Sequence, residues 1–253
     1  VLTRSGYGEQ SRFALRALRS QPDLYDIFIQ PLSWGETSWL SDTNEERSWI
    51  DQTIEKTISY IQRGGTFDMS VQVTIPNEFE PLAAENIGIT AGIEVDRVAP
   101  EWLQASNMMK KLIVVSEHAK SGFTNTTATV EDPQTKLPKT LICKTDIDVV
   151  GYPVKKISEK TIDIDLETDF NFLAVSQWGP RKNIGSTIEW FLSNFKDNPN
   201  VGLVLKGFLK NNCTMDKLHA MAAVRNSIPA DTKCKIYLLK LLLVCNNLSR
   251  SML

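Results

Sequence analysis

Short apolar or alternating runs recur along this 253-residue chain, and each is followed by a break and then by an amphipathic stretch. No other feature of the sequence restricts the fold as much. A short apolar run reads as a strand, and apolar residues at i, i+3 and i+4 read as one face of a helix. Strands that alternate with helices build mostly parallel sheets covered by helices. FNFLAVS (170–176) predicts a strand, and Ile184, Ile188, Phe191 and Leu192 predict the helix after it. VGLVLKG (201–207), MDKLHAMAAVRNSI (215–228) and KCKIYLL (233–239) continue as strand, helix and strand.

The first part of the chain carries the same alternation. VLTRSGYGEQSRFALRAL (1–18) is a glycine turn leading into a helix with Phe13, Ala14, Ala17 and Leu18 on one face. YDIFIQPL (25–32) predicts a strand. Thr43 and Glu46 have capping-box spacing, Ile50, Ile54, Ile58 and Ile61 form the stripe expected to be buried, and Gly64 can close that helix. Met69, Val71, Val73 and Ile75 alternate as in a strand, and NIGITAG (86–92) is a second short strand. Pro100 suits the first turn of a helix, LIVV (112–115) is a buried strand, and Ser116 is placed to cap the next helix. The polar stretch 124–141, with two prolines, reads as loop with at most a short helix, and DIDVVGYPV (146–154) reads as a strand. The charged, weakly patterned KKISEKTIDIDLETD (155–169) is the expected linker. The fold class is therefore α/β, with one domain over residues 1–160 and a second over 161–253.

Composition narrows the partners. With 42% hydrophobic and 23% charged residues the chain is ordinary for a globular protein, and its net charge of −2 gives no long-range attraction to nucleic acid or anionic lipid. Cys143, Cys213, Cys234 and Cys245 form no CxxC pair, and His118 and His219 are the only histidines, so zinc and haem sites are not expected. Free thiols point to a reducing compartment and a cytoplasmic location. No apolar run reaches the length of a transmembrane helix. The chain starts on Val1, close to a glycine loop, and after Tyr237 it reads LLKLLLVCNNLSRSML, an apolar run followed by a polar stub. Both ends are expected to be incomplete, with the residues from about Lys240 onward out of register with the original gene. A shortened second domain would expose apolar sheet, so self-association is expected.

Several residues invite a chemical reading. After the 170–176 strand the chain breaks at Gly179 and Pro180 and presents Arg181 and Lys182 just before a helix. Free N–H groups and the helix dipole favour anions there, so the pair reads either as a phosphate contact or as solvated surface charge. Gly6 and Gly8 make a GxG turn, but Ser11 holds the place of the last glycine of a dinucleotide fingerprint. Such a turn either lets backbone approach a ligand or is simply tight. Glu94 and Asp96 follow a strand end, where they serve acid/base or orienting chemistry or are loop carboxylates, one of them paired with Arg97. Lys206 and Gly207 end a strand, as a donor contact or as structure. Trp178 packs against a nucleobase or ribose, or within the protein. His118 and His219 read as structural, and Glu78, near another strand end, has no assigned role.

In order along the chain, SGYGEQSRFALRAL, NIGITAGIEVDRVAPEWLQASNMMKKLIVVSEHAKSGF, FLAVSQWGPRKNIGSTIEWF and VGLVLKG resemble landmarks of GT-B glycosyltransferases of the family 4 (group 1) type. The resemblance runs from residue 5 to about residue 239. It implies two Rossmann-like domains, an acceptor-side one and a partial nucleotide-sugar-binding one. It also implies a retaining hexosyltransferase that moves a sugar from a nucleotide-diphosphate donor to the hydroxyl of a glycan or other acceptor, with no cofactor and no metal. Without a metal, the charge on the leaving diphosphate must be met by Lys, Arg and N–H groups already in position. By resemblance Lys182 is the phosphate-binding lysine, aided by Arg181 and by Gly6 and Gly8, the glycines of the first loop. Glu94 is the catalytic candidate, and Lys206, Gly207 and Trp178 are candidate donor contacts. The chain departs from the family where Ser176-Gln177 stands in place of Gly-Arg, and it lacks the later pair of glutamates seven residues apart and the helix that crosses back to the first domain. These departures leave open a non-catalytic GT-B-like protein that binds a sugar, a nucleotide or a partner. A dinucleotide-dependent oxidoreductase is disfavoured by the missing GxGxxG and by the lack of an acidic residue about 20 positions beyond a qualifying loop.

Overall fold

The computed structural model describes residues 1–3, 5–32, 43–132, 134–154, 156, 158–159, 164–209 and 213–239. The residues from Lys240 onward and the middle of the expected linker lie outside them. The chain is mixed α/β and divides into two compact units, Val1–Lys156 and Ile157–Leu253.

In the first unit, helices α1 (Gly6–Arg19) and α2 (Glu45–Gln62) precede a four-stranded sheet. Its strands are β1 (Met69–Val73), β2 (Glu85–Ile89), β3 (Lys111–Val114) and, after a hairpin, β6 (Asp146–Val149). All neighbours are parallel and the order is β1-β2-β3-β6, so every C-terminal strand end lies on one edge. Helix α3 (Pro100–Ser106) crosses from β2 to β3. Helix α4 (Glu117–Thr124) and the hairpin β4 (Thr127–Glu131)–β5 (Pro138–Ile142) cross from β3 to β6. Leu103, Leu112, Val114 and Phe123 are fully buried where these helices cover the sheet. Each contributes roughly 1.5–3 kcal/mol of transfer free energy.

The link from β1 to β2 contains only a 3₁₀ turn, Pro76–Glu78, so strand side chains satisfy its backbone instead of a helix. Buried Gln72 accepts from Glu80 N–H at 2.9 Å and donates to Glu80 C=O at 2.6 Å. Buried Asn86 accepts from Leu82 N–H and Ala83 N–H, both at 3.0 Å. This network inverts the expected alternation of β1. Gln72 and Thr74 are buried, while Met69 is 38% exposed.

In the second unit β7 (Phe170–Gln177), β8 (Val201–Phe208) and β9 (Lys235–Leu239) form a parallel sheet in that order, with α5 (Ile184–Phe195) and α6 (Thr214–Ser227) between them in sequence. The central strand β8 is buried continuously from Val201 to Leu205. Ile188, Phe191 and Leu192 of α5 and Ala220 and Val224 of α6 pack on it.

Four local expectations are corrected. Residues 25–32 join no sheet among the described residues, because Ile29 N–H donates to Thr57 Oγ1 of α2 at 2.8 Å instead of to a strand. Residues 124–141 are not a loop but include most of the hairpin, whose turn is held by Asp132 accepting from Gln134 N–H and Thr135 N–H. The N-cap of α2 is Asn44, which accepts from Arg47 N–H, and the helix buries Ile50, Thr53 and Thr57 while Ile58 and Ile61 are about half exposed. Helix α1 buries Gly8, Arg12 and Leu15 rather than the Phe13–Leu18 face. The Arg12 guanidinium is satisfied there by Val1 C=O, Thr3 C=O and the Glu9 carboxylate.

Candidate functional site

In the first unit the polar groups gather where the parallel strands end. Ser5 caps α1 by accepting from Gly8 N–H at 2.9 Å, which starts the helix directly after the Leu2–Thr3 segment. The Tyr7 side chain then reaches the end of β2. Its hydroxyl lies 3.2 Å from Thr90 Oγ1 and accepts from Ala91 N–H at 3.3 Å. Thr74, just past β1, donates its hydroxyl to the Glu78 carboxylate. Tyr152, past β6, accepts from Gly92 N–H at 3.4 Å. Tyr152 and Glu78 both stand within electrostatic reach of Tyr7. Burial pushes the Tyr7 phenol above its ordinary value. The Thr90 and Ala91 hydrogen bonds oppose that shift, and the Tyr152 and Glu78 charges add to it.

The two glycines of the first loop have different surroundings. A Cβ on Gly8 would lie 2.2 Å from Thr3 C=O, so Gly8 is required for α1 to pass close to the preceding segment. A Cβ on Gly6 would meet nothing within 4 Å, and Gly6 is exposed. Of these two glycines, Gly6 is the one with open space beside it for a ligand. Glu94 and Asp96 sit exposed in the turn between β2 and α3. That turn is anchored at its far end by Val98 N–H donating to Thr126 Oγ1 at 3.0 Å. His118 is exposed on α4, which Ser116 caps by accepting from Ala119 N–H.

In the second unit β7 runs into Trp178, whose backbone N–H donates to Phe208 C=O at 2.7 Å and continues the ladder. A 3₁₀ turn, Pro180–Lys182, follows. Its end is set by Lys182 N–H and Asn183 N–H, which both donate to Gly179 C=O. Asn183 adopts a left-handed conformation, φ 45° and ψ 50°, and α5 begins with no side-chain cap on its first turn. Arg181 and Lys182 are exposed immediately before that terminus. The turn therefore presents two cations and a helix N-terminus together, an arrangement that favours an anion.

Trp178 is 8% exposed and packs with the apolar cluster, with its indole N–H lacking a partner among the described residues. Gly207 makes room for it, since a Cβ there would lie 2.2 Å from Trp178 Nε1 and 2.3 Å from Ser176 C=O. Lys206, half-buried, sits in register between Val175 of β7 and Leu239 of β9.

Four residues of the strand-end cluster, Tyr7, Thr74, Thr90 and Tyr152, have no reading in the sequence beyond their segments, and Glu78 has no role assigned there. A usable signal existed. Thr74 and Thr90 are the first polar residues after VQV and IGI, and Tyr7 lies between two glycines. Among the described residues no group of three His, Cys, Asp or Glu side chains is arranged to hold a metal ion, and no helix is long and apolar enough to cross a membrane. Cys143, Cys213 and Cys234 are free thiols. A scan against protein-family models and searches of curated proteins and of solved structures find no match to the chain.

Proposed function

We propose that this chain is a metal-independent, retaining glycosyltransferase of the GT-B type, with two Rossmann-like halves. The first half takes the acceptor, and the second half takes a nucleotide-diphosphate sugar. The observation that carries the reading is the Gly179–Asn183 turn, which puts Lys182 and Arg181 at the uncapped N-terminus of α5, directly after a parallel strand. When the bond between sugar and diphosphate breaks, negative charge develops on the leaving phosphate oxygen. Fixed cations and N–H groups stabilise that charge without reorganising. The acceptor hydroxyl bonds to the anomeric carbon on the face the diphosphate leaves, and its proton passes to the departing phosphate oxygen. Gly6 provides close backbone approach, and Glu94 orients the acceptor. Lys206 and Gly207 complete the donor side structurally, and Trp178 supports the loop from beneath.

Calorimetric titration with UDP, GDP and their sugar conjugates, without metal and alongside NAD, tests this. One diphosphate nucleotide should bind, and Lys182→Ala should weaken it by roughly 1.5–3 kcal/mol, as expected for a charge-assisted phosphate bond. Binding of NAD alone would overturn the family. A binding-only GT-B-like protein is the second reading, favoured by Ser176 and Gln177 standing where the family carries Gly-Arg. Nucleotide-sugar binding with neither transfer nor hydrolysis would establish it.

A further inference from the structure

We infer that the strand ends of the first unit, with Glu78 and Tyr152 as the contacting side chains, form a binding site selective for a neutral, polyhydroxylated ring, a free sugar or cyclitol, over its phosphorylated form. Glu78 is the centre of the argument. It sits in the 3₁₀ turn after β1, is exposed, and has its Oε2 engaged by the hydroxyl of Thr74, a residue 1% exposed. That bond fixes the carboxylate on a rigid element. The second carboxylate oxygen keeps its acceptor capacity, and Glu78 makes no ion pair among the described residues. A fixed carboxylate at a strand-end edge, with no ion-pair partner among the described residues, attracts donors and repels anions.

The groups around it are of one chemical kind. Tyr7, Thr74, Thr90 and Tyr152 all carry hydroxyls, and three separate strands and α1 supply them. A hydroxyl both donates and accepts, so such a set matches ligand groups that do the same. Tyr152 is 54% exposed, and its oxygen accepts from Gly92 N–H, which leaves its own O–H to donate outward. The arrangement binds a ring whose hydroxyls donate to Glu78 and accept from Tyr152. A phosphate on that ring would meet the Glu78 charge. Calling this ligand the acceptor rests on the transferase reading above, whereas the site itself does not.

Ligand-observed saturation-transfer NMR on the full chain tests the site. The probes are D-glucose, D-mannose, D-galactose and myo-inositol, with glucose 6-phosphate as the anionic counterpart and UDP and GDP read in parallel. At least one neutral probe should bind. Glu78→Gln should weaken it 10-fold or more and narrow the gap between glucose and glucose 6-phosphate. Tyr152→Phe, at an exposed position that cannot unfold the sheet, should weaken the neutral probe several-fold. Absence of binding by every neutral probe overturns the inference, as does tighter binding of the phosphate form or indifference to both substitutions. Neutral-probe binding without any nucleotide binding supports this site and counts against the transferase reading. Nucleotide binding without neutral-probe binding does the reverse.

Discussion

The Tyr7 hydroxyl stands 3.2 Å from the Thr90 hydroxyl, joining the first turn of α1 to the end of β2 across 83 residues of chain. Tyr7→Phe removes that bond and takes the acceptor from Ala91 N–H. The expected cost is about 1–2 kcal/mol, since a half-buried donor is left unmet. Urea unfolding should show the loss, and faster amide exchange at Ala91 should locate it.

The same residue gives an alkaline signature. Burial, the largest cause, raises the Tyr7 phenol above its ordinary value of about 10 in the folded protein. The folded state therefore holds this proton more tightly than the unfolded chain. The stabilisation is fully present below pH about 10 and is lost as pH rises toward the folded value. Stability should fall more steeply above pH about 10 in the parent chain than in Tyr7→Phe. Equal slopes in paired urea titrations would remove Tyr7 as the source.

Gly6 and Gly8 should respond differently to alanine. At Gly8 the new Cβ meets backbone, Thr3 C=O at 2.2 Å, so Gly8→Ala should cost about 1–3 kcal/mol of stability. At Gly6 the space is open, and Gly6→Ala should leave the melting temperature unchanged or slightly raised. If Gly6 faces the ligand, Gly6→Ala should lower ligand affinity at unchanged stability. Thermal melts beside binding titrations separate the two effects.

In the second unit Gly207→Ala forces the Trp178 indole and Ser176 C=O apart. The expected cost is about 2–3 kcal/mol, because one of the clashing atoms is backbone. The indole should also lose its buried position, seen as a red-shifted component in the difference between variant and parent emission, since the other five tryptophans are common to both.

Asn183 holds a left-handed conformation at the start of α5. Asn tolerates it, glycine would adopt it freely, and a β-branched residue would not. Asn183→Gly should change stability by less than about 0.5 kcal/mol, and Asn183→Val should cost about 1–2 kcal/mol. Denaturant midpoints of the two variants check the ordering.

Local signals served well wherever a residue acts on its own backbone. Ser116 was legible as a cap, Pro100 as a first-turn residue, and Gly64 as the end of α2, where it has φ 80°. The α5 stripe was legible because Ile188, Phe191 and Leu192 all enter one apolar cluster, with Val201, Leu203 and Leu205 of β8 and Ala220 and Val224 of α6. The α2 stripe misled. Ile58 and Ile61 continue the helical period but lie half exposed, while Thr53 and Thr57 are buried with their hydroxyls bonded to Trp49 C=O and Thr53 C=O. Threonine can hide its polarity on its own helix, so hydropathy alone does not identify the buried face. The hairpin was missed because β4 and β5 are mostly exposed and polar, and pairing rather than burial defines them.

The candidate site divides in the same way. The loop bearing Arg181 and Lys182 was visible in the sequence because strand, turn and helix are contiguous there. The cluster of Tyr7, Thr74, Glu78, Thr90 and Tyr152 was not, because its members come from four segments spread over most of the first unit. Most of the strand and helix order, the caps and the turn glycines can be read from the residue pattern, because interactions within a few residues set them. Which face of each element is buried, and which distant hydroxyls and carboxylate share one sheet edge, follows from long-range packing. Parallel pairing brings the ends of non-adjacent segments together, and no local pattern records which ends will meet.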